Sequence, residues 1–181
     1  MNIQQTIQGC KSNDRKAQNA LYHLLADKLM NICYRYSNDI SEAKDVLQNT
    51  FIKIFTKIEQ YDEAKGEITG WCARIAVNEA LMSKRRRSKY LFVDDAEMKV
   101  VHDSTAEPEV FQEIGKSEIM KLINNLPEGY RIIFNLNIVE GYNHKEIAEL
   151  LDISEGTSRS QLLRARKAIQ KQLKKNTSKV A

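Results

Sequence analysis

Two prolines and seven glycines in 181 residues leave the chain few of the usual places to break a helix or turn a strand. That scarcity argues against sandwiches and barrels, whose short strands are punctuated by such residues. No apolar run nears the roughly 20 residues that a membrane helix requires. The start, MNIQQTIQGCKSNDRK, also lacks an apolar segment ahead of a cleavage site. The chain is therefore expected to be cytoplasmic, with no membrane insertion. The three cysteines, Cys10, Cys33 and Cys72, stand far apart and read as reduced thiols, the last two in cores. His23, His102 and His144 add no close pairing, so neither a metal site nor a cofactor is expected. A phosphate-cradling glycine loop is missing too, and no residue is assigned a catalytic role.

What the chain does have is Leu, Ile, Ala, Glu and Lys at helical spacing, so it is read as all-α. Its net charge of +4 conceals an uneven distribution. Residues 1–90 carry 15 Lys/Arg against 10 Asp/Glu, residues 91–118 carry 2 against 8, and residues 119–181 carry 11 against 6. Two basic blocks flank an acidic strip, as expected of two DNA-facing modules separated by a segment that phosphates repel. Solvated helices with a chance distribution of charge fit the same numbers. The first boundary follows the charge and the second the return of helical spacing at Ile114: a helical domain over 1–90, a flexible acidic linker over 91–113, and a second small helical domain over 114–181.

In the first domain a short helix ends near Gly9, and a longer one from Ala17 carries the stripe Leu21, Leu25, Leu29, Ile32 and Tyr36. Asp39 and Glu42 form a capping box for the next helix, SEAKDVLQNTFIKIFTKIEQY. One of its faces is apolar: Val46, Leu47, Thr50, Phe51, Ile54, Phe55 and Ile58. The other shows Asp45, Gln48, Asn49 and Ile52 at i, i+3, i+4 and i+7, which suits docking on a protein as well as it suits solvent. After the loop DEAKGE, the helix ITGWCARIAVNEALMSKRRRSKY is expected to bury Trp71, Ile75 and Leu81 with Cys72 and Met82. Arg74, Asn78 and the run Lys84, Arg85, Arg86, Arg87 and Lys89 lie elsewhere on it. A basic run is often only a solvated helix end, but beside an asparagine able to hydrogen-bond a base it points to nucleic acid.

In the second domain helical spacing returns at Ile114, and Leu126-Pro127-Glu128 opens a helix with proline in its first turn. Ile132, Ile133, Leu136 and Val139 supply its apolar faces, Gly141 stops it, and the tail after Leu173 is expected to fray. Between them lies GYNHKEIAELLDISEGTSRSQLLRARKAI, residues 141–169, with the outline of a helix-turn-helix. Asn143 and Glu146 make a capping box, Ile147, Leu150 and Leu151 an apolar face, Asp152-Ile153 a break, and Ser154 a second cap. On the second helix Leu162, Leu163 and Ile169 can pack inward, while Arg159, Ser160, Arg164 and Lys167 present a polar face suited to a major groove. A helical hairpin with a solvated charged face fits this segment too.

Taken together, the order and spacing of these motifs resemble the extracytoplasmic-function (ECF) sigma factors of the bacterial sigma-70 family, over nearly the whole chain. Asp45 to Phe51 (DVLQNTF) looks like region 2.2, Trp71 to Asn78 (WCARIAVN) like regions 2.3 and 2.4, and Leu126 to Arg166 like region 4. The resemblance implies a sigma2-like helical bundle and a sigma4-like helix-turn-helix domain, in a dissociable subunit that gives RNA polymerase its promoter specificity. Asp45, Gln48, Asn49 and Ile52 would dock on the beta-prime coiled coil of core polymerase, with the beta subunit as a further contact. Asn78 and the loop from Tyr61 to Thr69 would capture a base flipped from the minus-ten element, with Arg74 and Lys84 to Arg87 on the strand beside it. Arg159, Ser160, Leu163, Arg164 and Lys167 would read the minus-thirty-five element. An anti-sigma factor is a further candidate partner.

Three residues depart from the family pattern. Asn49 stands where a carboxylate is usual, Ser158 where an apolar residue packs the two region 4 helices, and Gln161 where arginine is frequent. Looser packing and an altered sequence preference are the expected consequences. Regions 1.1 and 3 have no counterpart, so the linker is expected to follow the polymerase's RNA exit path. The competing readings are a one-component or response-regulator transcription factor, which would share the helix-turn-helix, and a helical enzyme, which no constellation of residues supports.

Overall fold

The computed structural model describes residues 2–87 and 116–177. The acidic linker and Lys89 lie outside them, and so do the side chains of Arg85, Arg86 and Arg87. The chain divides into two compact units, residues 1–89 and 90–181. Every regular element among the described residues is helical, so the protein is all-α.

The first unit holds α1 (Ile3–Lys11), α2 (Arg15–Tyr36), α3 (Ile40–Lys57) and α4 (Ile68–Arg87). Asn2 and Gln5 cap α1 reciprocally, and Asp14 starts α2 by accepting from the Lys16 N–H. Between these helices a Cβ on Gly9 would lie 2.5 Å from that of Ala17, so glycine is what lets the two helices come so close. Helices α2, α3 and α4 pack pairwise around one core. The whole α2 stripe, Leu21, Leu25, Leu29, Ile32 and Tyr36, is buried as its periodicity predicts, together with Ala17 and Cys33.

Helix α4 departs from the sequence expectation. Its buried side is Ile68, Cys72, Ala76, Val77, Ala80 and Leu81, whereas Trp71 and Ile75 are half-buried and Met82 is 43% exposed. Small side chains face the core there and admit α2 and α3 closely, which displaces the larger ones to the flank. Trp71 packs instead against Tyr61, ring centroids 5.7 Å apart. All three cysteines are free and buried, Cys10 included. Burial pushes the Cys33 thiol up to about 11 and the Cys72 thiol up to about 12.

The second unit holds α5 (Lys116–Asn124), α6 (Glu128–Phe134), α7 (His144–Leu151) and α8 (Glu155–Thr177), the last helical beyond the expected fraying point at Leu173. Helices α5, α6 and α7 all pack on α8. Pro127 precedes α6 as its N-cap, and α6 runs on into a π turn at Asn135–Val139, closed by the Glu140 N–H on the Asn135 carbonyl at 2.9 Å. The wider turn shifts the helical register by about one residue. Leu136 is therefore buried while Ile138 and Val139, the latter expected in the core, are 47% and 45% exposed. Gly141 at φ +78° then ends the turn.

Candidate nucleic-acid interface

The docking stripe forms on α3 as its spacing requires: Asp45, Gln48, Asn49 and Ile52 are all exposed, opposite buried Val46, Thr50 and Ile54. Ile52 leaves 54% of its surface in solvent, about as much as Leu24 and Ile40, so the adjoining apolar groove rather than this exposure distinguishes the face. Beside it, between α2 and α3, lies a groove of about 610 Å³ lined by Tyr22, Met30, Lys44, Gln48, Phe51 and Ile52 among others. Tyr22 packs against Phe51 with ring centroids 4.6 Å apart and the planes tilted by 45°. The contribution of α2 to this surface was hidden in the sequence, because Tyr22 lies off the α2 core stripe.

Arg74 and Asn78 are exposed one turn apart on α4. The loop before them is built by its own residues and by α1. Tyr61 donates its hydroxyl to the Gly66 carbonyl at 2.9 Å, Asp62 accepts from the Ala64 N–H, and Gly66 takes φ +133°. Lys11 of α1 donates to the Tyr61 carbonyl at 3.2 Å and Gln4 to Glu63 at 3.2 Å. The loop is thereby held at one end of the Asn78 helix. Glu79, next to Asn78, pairs with Lys53 of α3, which ties the two faces of the unit together.

Lys84 must be removed from the expected DNA face. Its side chain is 3% exposed and its ammonium lies 3.7 Å from the Glu42 carboxylate, itself 5% exposed. Spacing placed it in a basic run, but the turn of α4 points it at the start of α3. Glu42 also differs from the simple capping box: its own N–H donates to Asp39, while its Oε2 accepts from the Asn38 N–H rather than that of Asp39. One carboxylate thus serves both the helix start and Lys84. Arg85, Arg86 and Arg87 lie on α4 by backbone only.

In the second unit, Asn143 and Glu146 form the reciprocal cap, with bonds of 2.9 and 2.8 Å. Asp152 ends α7 in the left-handed region at φ 58°, a conformation Asp tolerates better than most residues. Ser154 then accepts from the Thr157 N–H at 2.9 Å and starts α8. On α8, Arg159 and Lys167 are exposed, and Ser160, Leu163 and Arg164 are half-buried along the same side. Glu155 holds Arg159 at 2.6 Å, an i,i+4 pair that the sequence spacing could have revealed.

Two expectations for α8 change. Ser158 is wholly buried, and its hydroxyl meets His144 Nδ1 of α7 at 2.8 Å, so the helix contact is a directional hydrogen bond rather than a loose fit. Gln161 is buried at 5% exposure with its side-chain oxygen unpaired, and faces the core rather than solvent. Burial holds the His144 imidazole below its ordinary value of 6.5, with Arg159 and Arg166 acting the same way and Glu155 opposing them. Among the described residues there is no cluster of His, Cys, Asp and Glu able to hold a metal ion, and no helix is long and apolar enough to cross a membrane.

Comparison with known proteins agrees with this division. The family model for sigma-70 region 2 matches residues 21–90, and that for sigma-70 region 4 matches residues 116–169. The chain is 32% identical to the ECF RNA polymerase sigma-E factor of Haemophilus influenzae over 94% of each chain. It is 28% identical to the ECF RNA polymerase sigma factor SigW of Bacillus subtilis, over 96% of this chain and 98% of that one. Among solved structures it is similar in fold to the sigma factor RpoE of Bartonella quintana, determined in complex with the anti-sigma factor NepR. The TM-score is 0.54 at 21% identity, covering 86% of this chain and 96% of that one.

Proposed function

We infer the working of the molecule from one premise: the chain belongs to the extracytoplasmic-function sigma factors of the sigma-70 family. As such a factor it binds core RNA polymerase, recognises the minus-ten and minus-thirty-five elements of promoters and promotes strand opening for transcription initiation. It acts in the cytoplasm with the polymerase and has no catalytic centre of its own.

The assignment of residues is supported by a single observation. The two matched regions fall in the two compact units, with Asp45, Gln48, Asn49, Ile52, Arg74 and Asn78 exposed in the first and Arg159 and Lys167 exposed in the second. The α3 stripe, Asp45, Gln48, Asn49 and Ile52, docks on the beta-prime coiled coil, and the adjoining Tyr22 and Phe51 groove gives that partner apolar surface to cover. Asn78 takes a flipped minus-ten base with its amide, which offers one donor edge and one acceptor edge, and the loop from Tyr61 to Thr69 walls the pocket. Arg74 and the arginines at 85–87 neutralise the strand's phosphates without Lys84. Arg159, Ser160, Leu163, Arg164 and Lys167 read the minus-thirty-five duplex, with arginine suited to guanine edges. An anti-sigma factor would regulate the chain by covering one of these surfaces. Strand opening draws on binding energy, because stacking and pocket contacts replace the base pairs lost.

Transcription in vitro with purified core polymerase tests this reading. Addition of the protein should direct initiation from a specific promoter set that core polymerase alone ignores. Tight, sequence-specific binding to duplex sites by the protein alone, with no initiation in the presence of core, would overturn it in favour of a one-component regulator.

A further inference from the structure

We propose that His144 is a positioning residue for the minus-thirty-five element: by hydrogen bonding to Ser158 it locks the recognition helix α8 onto α7 and sets how Arg159 and Ser160 meet the bases. The inference rests on α8 being the minus-thirty-five reader and adds to that reading a residue outside the reading face.

The anchor is rigid at both ends. His144 is the first residue of α7, directly after Asn143, whose reciprocal bonds with Glu146 fix that turn. Ser158 lies on the inner side of α8, one turn past its cap Ser154 and immediately before Arg159. An apolar contact at this crossing would be non-directional and would fix the approach of the helices by shape alone. A hydrogen bond of 2.8 Å between a ring nitrogen and a hydroxyl fixes both distance and angle. Because Ser158 is fully removed from water, its hydroxyl loses a solvent partner on folding and relies on His144 to replace it.

Arg159 is then constrained twice. Its backbone is set by the Ser158 anchor one residue away, and its guanidinium is held by Glu155 at 2.6 Å. The charged groups whose fields act on the His144 ring, Arg159, Glu155 and Arg166, belong to α8. The anchor and the reader thus share one corner of the helix-turn-helix. A change in the anchor should alter which bases are distinguished, and not only how much protein is folded.

The test measures binding of holoenzyme, reconstituted with core polymerase, to a promoter with an intact minus-thirty-five element and to single-base variants of it. The readout is the ratio of the two affinities, in which the fraction of active protein cancels. His144→Leu and Ser158→Ala should each lower the ratio about five-fold, the order expected for losing one neutral hydrogen bond. His144→Asn, which keeps a polar atom near the position of Nδ1, should restore it to within about two-fold. An unchanged ratio in both His144→Leu and Ser158→Ala, or His144→Asn as defective as His144→Leu, would overturn the positioning role. Arg164→Ala separates the two levels. If it leaves every minus-thirty-five ratio unchanged, the assignment of α8 fails; if it collapses the ratio while the anchor variants do not, only the inference about His144 fails.

Discussion

Single residues in this chain are set by neighbours that sequence spacing does not connect, and His144 is the clearest case. Its imidazole is held below 6.5 by burial first, then by Arg159 and Arg166 against the opposing Glu155, so the folded protein binds the proton less readily than the unfolded chain. The linked stability is therefore fully present above about pH 6.5 and is lost as pH falls through the lower folded value. His144→Asn cannot titrate there. Urea denaturation should show a difference between wild type and His144→Asn that is constant from pH 8 to pH 7, and then moves against the wild type as pH drops below 6.5. A difference that stays flat down to pH 5 would mean that the ring is not shielded. The cap of α7 was legible, since Asn143 and Glu146 lie three residues apart and act within one turn. The His144 to Ser158 bond spans 14 residues and two helices, and no local pattern encodes it.

At the scale of elements, legibility followed side-chain size. The α2 stripe could be read because large aliphatic residues recur along one face. The α4 face was legible only in part: Cys72 and Leu81 are buried as expected, but Ala76 and Ala80 carry little apolar signal, and Trp71 drew the prediction toward itself. The π turn after α6 was equally hidden, since one additional residue per turn leaves no compositional mark and yet exposes Val139. The junction of α3 and α4 carries an energetic consequence of its own. Lys84 and Glu42 are both removed from water and face each other at 3.7 Å, so removing one charge takes away part of what offsets the burial of the other. Lys84→Met should destabilise the first unit by about 3 kcal/mol, and adding Glu42→Gln, which retains an acceptor for the Asn38 N–H, should recover much of that loss. Chemical denaturation of the three variants gives the coupling directly. If Lys84→Met were neutral, Lys84 would be solvated and would return to the DNA face.

For the molecule as a whole, the two compact units each have their own core and their own candidate reader, and this predicts how promoter recognition divides. Asn78 is exposed on α4 in the first unit, and Arg164 is half-buried on α8 in the second, so neither substitution should disturb the other's unit. In holoenzyme, Asn78→Ala should relax discrimination at one minus-ten base by about 1 to 3 kcal/mol, and Arg164→Ala should do the same at the minus-thirty-five element. The double variant should equal the sum to within about 0.5 kcal/mol, as expected for sites that share no partners. The charge pattern gives the same division an electrostatic form. Basic residues concentrate in the flanking blocks and acids between them, so each unit should release counterions at its own DNA segment. Arg164→Ala should therefore reduce the salt dependence of binding on promoters that retain a minus-thirty-five element and leave it unchanged on promoters that lack one. Asn78, which carries no charge, should change discrimination without changing the salt dependence on either. Strong non-additivity, or a loss of minus-thirty-five discrimination in Asn78→Ala, would mean that the polymerase couples the two grips, and that base capture in the first unit controls how the second engages.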